Sequence, residues 1–504
     1  MDKLKSLMEQ INQFVAQYWV LVAGGAVILA LVGVVALNRQ GSDSDVETAG
    51  GEDIGASDGT DPGLALESPV PGGSGGSGTG GDSSDGGTVI RRGGNTITIP
   101  KSGGPPVADL FKTSEDRIGI TKSEIRICIH AALSLASVFN VSEKSLNTYW
   151  SYVNDELGGI YGRKLVMSYT DDNYGNSPQD VRDAYEECKA EKPFLLLGGI
   201  GFDQIPQVRG WAEEDRYPYI HHIAREDLDK RFAFSYLPSV ETVGTRSGQW
   251  VMSQYANKRL GVLWRNSEHW EPGHKTFKKV VQDKKGNLVA DVPANKSQSV
   301  YTSEINTLKT KDGGAEVVFV WENALAAIEI IEQAAQQDYF PIWVVFPFNL
   351  MTETLSQNPR YSQVKMDGIS AWAPYFPGVQ NPVTKAYAPG KTDGSFAQYA
   401  ALIKEYERQH NKYAPGENRD DIVFMTWGGW AQIHKLLLEC GQDCTRNKIV
   451  GLLQSGVHKV DAPGCPSDFT KNFHVGGSSV NVFKNFTWDG RAGWDELRHC
   501  KTGF

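Results

Sequence analysis

The sequence predicts an α/β protein of two Rossmann-like parallel-sheet lobes with a hinged cleft between them, preceded by one N-terminal transmembrane helix and a disordered linker. Three features carry that prediction: one long uncharged apolar run near the start, a Gly/Ser/Asp-rich stretch after it, and short apolar runs alternating with amphipathic segments from Ile125 onward. In 504 residues with 40% hydrophobic content there is material for a large core and for more than one domain. A formal charge of −10 with no basic block excludes nucleic acid as a partner, because phosphate binding needs clustered Lys and Arg.

From Gln10 to Asn38 no residue is charged, and Tyr18–Leu37 supplies the roughly 20 apolar positions that cross a hydrocarbon core of about 30 Å. Residues 18–37 are read as the membrane span. In residues 1–17, Leu4, Leu7, Met8, Ile11, Phe14 and Val15 recur at three- and four-residue spacing, as in a cytoplasmic amphipathic stem. Lys3 and Lys5 on that side, with an acidic tract after Arg39, place the remaining chain outside the cytoplasm by the positive-inside rule; Arg39 itself counts the other way. A cleaved signal peptide is the alternative, with Val34 and Ala36 as a small-x-small site, but the long polar head and the length of the run favour retention. No cysteine stands near the end of the run, so the anchor would be the helix and not a lipid-modified cysteine.

Residues 38–117 read as linker, since Gly, Ser, Asp and Pro with few aromatics cannot bury enough apolar surface to offset ordering entropy. A flexible tether of that length spans roughly 50 Å. Thr88–Pro100 alternates like a hairpin around Gly93 and Gly94, but two strands alone are marginal in water, and the segment is assigned to the linker.

In the globular part, Ile125–Ala131, Lys164–Thr170 and Phe194–Gly198 read as strands, with helices over about Ser142–Leu157 and Pro178–Ala190, giving two successive βαβ units. Strands Arg259–Trp264, Leu288–Val292, Glu316–Trp321 and Ile342–Phe346 repeat the scheme, with helices ending at Gln282 and covering Thr302–Lys311 and Ala324–Gln336. Helices near Ser395–Gln409, Asp421–Glu439 and Thr445–Gln454 must cross back between the lobes. The expected boundaries are 118–240 with 347–460 for the first lobe and 241–346 with 461–504 for the second. Ligands of open α/β sheets bind beyond the carboxyl ends of the strands, so two facing lobes place a site in the cleft.

The segment GGIYGRKLVMSYTDDNYGNSPQDVRDAYEEC resembles branched-chain amino-acid-binding proteins and related type I periplasmic binding proteins, in which a GGI-x-G-[RK] turn precedes a strand ending in paired acids. Asp171, Asp172 and Pro178 match that pattern, and RLGVLWRNSEHWEPGHKTF resembles the opening of the family's second lobe. The similarity runs from about Gly119 onward. It implies a hinged fold with three interlobe crossings, acting as the capture subunit of an ABC-type importer. It also implies that hydroxyls and backbone N–H groups of the first lobe hold a ligand carboxylate, while an acid of the second holds an ammonium. The matching positions carry Gly201, Phe202 and Asp203 where a serine is usual, and Ala224 and Arg225 where a threonine is common. Phe139 falls at the first-loop aromatic and Trp270 at the second lobe's aromatic lid; Ala326 falls at the acid position, with Trp321 and Glu322 close by. Plainer roles compete: Phe139 and Phe202 as packing residues, Glu322 as a helix cap. The missing hydroxyls argue against a plain α-amino acid and for a larger or less polar guest in an aromatic-lined cleft, with Arg225 or Glu322 supplying one charged contact.

Six cysteines in an extracytoplasmic domain point to three disulfides, although counting leaves the pairing open. A right-handed crossover carries Cys188, late in the second helix, over Cys128 in the first strand. Cys440 and Cys444 flank Gly441 at a helix end, which leaves Cys465 with Cys500. Isolated thiols are the alternative; no CxxC pair supports a metal site. Gly199, Gly201 and Gln204 miss the third small residue of a dinucleotide fingerprint, and Pro272 interrupts His269, Glu271 and His274 as a zinc helix. With no nucleophile elbow, P-loop or Cys/His signature, neither enzyme activity nor a cofactor is expected. Three functions remain: a solute-binding protein working with an ABC permease, a ligand-sensing receptor ectodomain, and a surface structural protein that has lost its ligand.

Overall fold

Short β-branched runs separated by amphipathic helices build two separate sheets wound in the same order. The computed structural model describes residues 88–92, 95–99, 115–133, 142–175, 177–199, 203–221, 231–296, 298–346, 363–371, 400–417, 419, 421–460, 465–469, 474–488 and 491–504. The chain divides into two compact units, Met1–Gly63 and Leu64–Phe504. The first unit, with the expected stem and the span at 18–37, lies outside the described residues; among the described residues no helix is long and apolar enough to cross a membrane.

Within the stretch expected to be unstructured linker, β1 (Thr88–Arg92) and β2 (Asn95–Ile99) pair antiparallel from Thr88↔Ile99 to Arg92↔Asn95. That part of the expectation is corrected. The β-branched content of TVIRR and NTITI favours pairing, and each strand satisfies the other's backbone groups.

The first lobe's sheet comprises β3 (Glu124–Ala131), β4 (Lys164–Asp171), β5 (Leu195–Gly198), β6 (Tyr219–His221) and β7 (Ala233–Ser235), in the order β4-β3-β5-β6-β7 with every pair parallel. Its helices are α1 (Glu143–Leu146), α2 (Thr148–Asp155), α3 (Pro178–Ala190) and α4 (Ile205–Glu214). The start of α3 is written in the sequence: Ser177 caps it by accepting from Gln179 N and Asp180 N, and Pro178 opens it with a preset φ.

The second lobe opens with α5 (Val240–Tyr255) and β8 (Arg259–Arg265), followed by α6 (Glu271–Asp283), β9 (Asn287–Ala294), α7 (Thr302–Thr310), β10 (Val317–Trp321), α8 (Ala324–Gln336), β11 (Ile342–Phe346) and β12 (Lys365–Ser370). Helices α9 (Ala400–Tyr413), α10 (Asp421–Cys440) and α11 (Arg446–Gln454) follow. A small pair, β13 (Lys459–Val460) with β14 (Ser467–Asp468), leads to the hairpin of β15 (Val480–Trp488) and β16 (Arg491–Lys501). The second sheet runs β16-β15-β12-β11-β10-β8-β9; β12 through β9 are parallel and the hairpin adds two antiparallel strands. Strand β12 therefore belongs to this sheet, pairing Lys365–Gly368 with Ile342–Val345, and not to the first lobe as the 347–460 boundary has it. Its internal Asp367 and Gly368 break the apolar run that would have marked it. The Asp367 carboxylate is buried by accepting Trp250 Nε1 at 2.8 Å and Tyr255 Oη at 2.7 Å from α5.

Helix α5 crosses α6 at two glycines: a Cβ on Gly244 would lie 2.0 Å from the Gly273 carbonyl oxygen. The later helices close the first lobe's core from far along the chain. Trp430 Nε1 donates to the Leu146 carbonyl at 2.8 Å, and Arg446 of α11 donates to the carbonyls of Phe194 at 3.0 Å and Pro193 at 2.7 Å. The three cysteine pairs form as expected, Cys128–Cys188, Cys440–Cys444 and Cys465–Cys500, with Cα separations of 5.6, 5.0 and 5.2 Å. In both lobes the first and third strands are neighbours and the second lies outside the first. The crevice where chain direction reverses thus opens at the carboxyl ends of β3 and β5 in one lobe and of β8 and β10 in the other.

Candidate functional site

At those crevices three charged side chains meet across the lobes. Arg265 ends β8 and Glu322 directly follows β10; Trp264 and Trp321 pair in register, which sets the two charges side by side. From the first lobe Asp203, one residue before the Gln204 cap of α4, reaches the same guanidinium. Arg265 Nε and Nη2 both donate to Asp203 Oδ2, at 2.9 and 2.8 Å, and Ser267 Oγ donates to Asp203 Oδ1 at 2.8 Å. On its other edge Arg265 Nη1 lies 3.3 and 3.4 Å from the two Glu322 oxygens. The side chains of Arg265, Asp203 and Glu322 are 3%, 4% and 0% exposed, so the cluster is shielded from bulk solvent and its electrostatics are little screened.

Two acids face one base there, and the ionisation follows. Burial pushes the Glu322 carboxyl up to about 7 although Arg265 pulls it down. Burial alone would lower Arg265; the carboxylates of Glu322 and Asp203 outweigh it and hold the guanidinium firmly charged. Tyr174 lies in the same field: burial pushes its hydroxyl up, Arg265 opposes this, and Asp203 and Glu322 add to it.

The support behind Asp203 is a buried polar network. His130 Nδ1 is 2.6 Å from Asp172 Oδ2, His130 Nε2 is 2.8 Å from Tyr219 Oη, and Gln204 Nε2 donates to Asp172 Oδ2 at 2.9 Å. Asp172, the second of the paired acids, thus pins the residue next to Asp203. The same turn holds Asn173 and Tyr174 at φ 47 and 59, in the left-handed region that non-glycine residues rarely occupy, with the Asp171 and Asp172 carboxylates accepting their backbone N–H groups at 3.0 Å. A second interlobe contact joins Lys296 Nζ to the Gly175 carbonyl.

Of the residues singled out from sequence, the structure brings together Asp203 and Glu322, through an arginine that the sequence reading passed over. Glu322 is not the cap of α8: Asn323 is, accepting from Ala326 N at 3.0 Å. Trp270 and Trp321 stand in the second lobe's packed core, 2% and 0% exposed, with ring centroids 5.0 Å apart and Trp321 Nε1 donating to the Trp270 carbonyl. Trp270 is packing where a lid over the cleft was expected. Phe139, Gly201, Phe202, Ala224 and Arg225 lie outside the described residues. Arg265 and Ser267 were missed. The available signal was a charge closing the strand RLGVLWR at its carboxyl end, after the run LGVLW.

The profile of the periplasmic binding protein family matches residues 134–486. A search of curated protein sequences gave no match. Among solved structures, a fatty acid ABC transporter substrate-binding protein from Thermomonospora curvata superposes with a TM-score of 0.59 at 16% identity, covering 77% of this chain and 94% of that one. The solute-binding protein of an ABC transporter from Rhodopseudomonas palustris BisB5, in complex with 3,4-dihydroxybenzoic acid, gives 0.59 at 13% identity over 76% and 98% of the two chains. The branched-chain amino acid transporter substrate-binding protein of Streptococcus pneumoniae, in complex with isoleucine, gives 0.54 at 14% identity over 74% and 100%. At such identities the likeness shows the fold alone. Two doubly wound lobes facing at their switch points, together with a profile match over most of the globular part, lead to one conclusion: the chain belongs to the periplasmic binding protein family, in its two-lobed type I form.

Proposed function

We propose that this chain is a membrane-tethered, extracytoplasmic solute-binding subunit that captures a small molecule and delivers it to an ABC-type importer. The observation that carries the reading is the meeting of Asp203 from one lobe with Arg265 and Ser267 from the other at the carboxyl ends of both sheets, where open α/β folds bind their ligands. The structural neighbours include complexes with isoleucine and 3,4-dihydroxybenzoic acid and the binding protein of a fatty acid transporter, which supports a guest among amino-acid-like molecules and aromatic or aliphatic acids, with amides screened beside them. The uncharged run Tyr18–Leu37 and the Gly/Ser/Asp-rich stretch after it support a single-helix anchor with a long tether.

The test is a thermal-shift screen of the chain against those classes. A ligand at a hundred times its Kd stabilises by about 2.7 kcal/mol, which raises Tm by several degrees. A flat response to every class would instead favour a surface protein that has lost its ligand. Uptake reconstituted with a permease then separates importer subunit from receptor ectodomain, and fractionation with and without residues 1–37 tests the anchor.

A further inference from the structure

We propose that Arg265 and Ser267 form a carboxylate receptor on the second lobe and that Asp203 of the first lobe is its built-in occupant. The cleft then shuts on its own side chain, and a free carboxylic acid enters by displacing Asp203. The inference deepens the solute-binding reading by naming the chemical class that competes for the site, and it rests on the crevice being the binding cleft.

The geometry separates what moves from what stays. Arg265 and Glu322 end neighbouring strands of one sheet, and Glu322 Oε2 also accepts Asn323 N at 2.6 Å and Asn323 Nδ2 at 3.2 Å. That pair travels with the second lobe whether the cleft is open or shut. Ser267 is fixed to the same lobe by a tight turn, its N–H donating to the Arg265 carbonyl at 2.9 Å, while Asn266 N donates to the Ala294 carbonyl of β9 at 2.8 Å. Parting the lobes therefore removes only Asp203. It exposes the Nε/Nη2 edge of a guanidinium with a hydroxyl beside it, three donors aimed at the two oxygens of one carboxylate. An arginine fork is the side chain best shaped for that task. Glu322 stays against the Nη1 edge of the arginine from within the same lobe, so the empty receptor keeps a hydrogen-bond partner on its far side. Asp203, for its part, is presented on a loop whose next residue is anchored through Gln204 to Asp172. A first-lobe carboxylate held out in this way occupies the position that a guest's acid group would take.

The experiment uses the full chain with fluorescent donor and acceptor on exposed Glu187 of the first lobe and exposed Lys279 of the second, introduced as non-cysteine labels so that the disulfides remain. Sodium acetate is the probe, with sodium chloride at equal ionic strength as control. Wild type should be shut without ligand and should respond to acetate only at concentrations at least tenfold above those that act on the Asp203 variants. Asp203→Ala should be shifted open and should close again on acetate, with an apparent affinity at least tenfold above wild type. Adding Ser267→Ala should cost that affinity about a further tenfold, as expected for loss of one hydrogen bond to a charged group. Asp203→Asn, nearly isosteric, repeats the test should the alanine variant unfold. Asp203 variants as shut as wild type, or equal acetate responses in variant and wild type, would overturn the proposal. Its failure is distinguishable from failure of the transport reading: solute hits in the thermal screen with acetate-blind Asp203 variants sink only this inference, and the converse result sinks only the other.

Discussion

The two lobes share one strand order and differ in how they are completed and in which of their ionisable groups burial shifts. The first has five parallel strands, two of them three residues long, and borrows α9, α10 and α11 to finish its core. The second extends the same arrangement with a β15–β16 hairpin of its own. In the first lobe the fully buried His434 beside Tyr149 is held neutral, its pKa pushed down to about 3 by burial. In the second, burial raises the carboxyls of Glu322 and Glu329 to about 7, and that of Asp367 in the same direction. A common topology therefore fixes where chain segments go and leaves free how each half responds to its surroundings.

The largest expected effect bears on the second lobe's core. Trp270→Ala should destabilise the chain by about 3–5 kcal/mol in urea denaturation, the range for a buried tryptophan. A stable variant that only binds ligand more weakly would return Trp270 to the cleft and redraw the lobe.

Next come the disulfides, compared within the first lobe. From loop lengths of 60 and 4 residues, chain-entropy reasoning assigns about 4 kcal/mol to Cys128–Cys188 and about 2 kcal/mol to Cys440–Cys444. Paired Cys→Ala variants measured by equilibrium unfolding should keep that order; equal losses would show that native packing, and not the unfolded chain, sets the difference.

The smallest effects sharpen the contrast in proton linkage. Folded Glu322 keeps a proton that the unfolded chain releases near its ordinary pKa of 4.5, so its contribution is present below pH 4.5 and lost as pH rises toward 7. Folded His434 refuses a proton that the unfolded chain takes up near 6.5, so its contribution is present above that pH and lost as pH falls toward 3. Each tenfold change in proton affinity is worth about 1.4 kcal/mol. Glu322→Gln should therefore gain on wild type between pH 5 and pH 8, and His434→Gln should gain on wild type as pH is lowered from 7 to 4. Denaturation midpoints at those pH values check both, and parallel profiles for the two variants would erase the distinction between the lobes.

The sequence made legible those elements in which burial imposes a period. Strands β10 and β11 are uninterrupted apolar runs, and α3 is marked by its Ser177 cap and Pro178. Elements that bury polar residues or close-packed glycine escaped: β6 and β7 are too short to show a period, α5 needs Gly244 to approach α6, and β12 hides Asp367 against Trp250 and Tyr255. For the site, Asp203 and Glu322 were named by position after a strand, but their link is a guanidinium 62 residues from the one and 57 from the other. Such a meeting is a property of the folded chain and has no local pattern.

The crossing back of α10 bears on synthesis. Trp430 bonds a carbonyl 284 residues upstream, and Arg446 reaches two others 252 and 253 residues away. A nascent chain emerging from its N-terminus must expose all the parallel strands of both halves before the first can seal, and loop closure over such distances is slow. Early strands therefore lack that cover until late in synthesis, and their apolar faces are open to misassociation if emergence stalls.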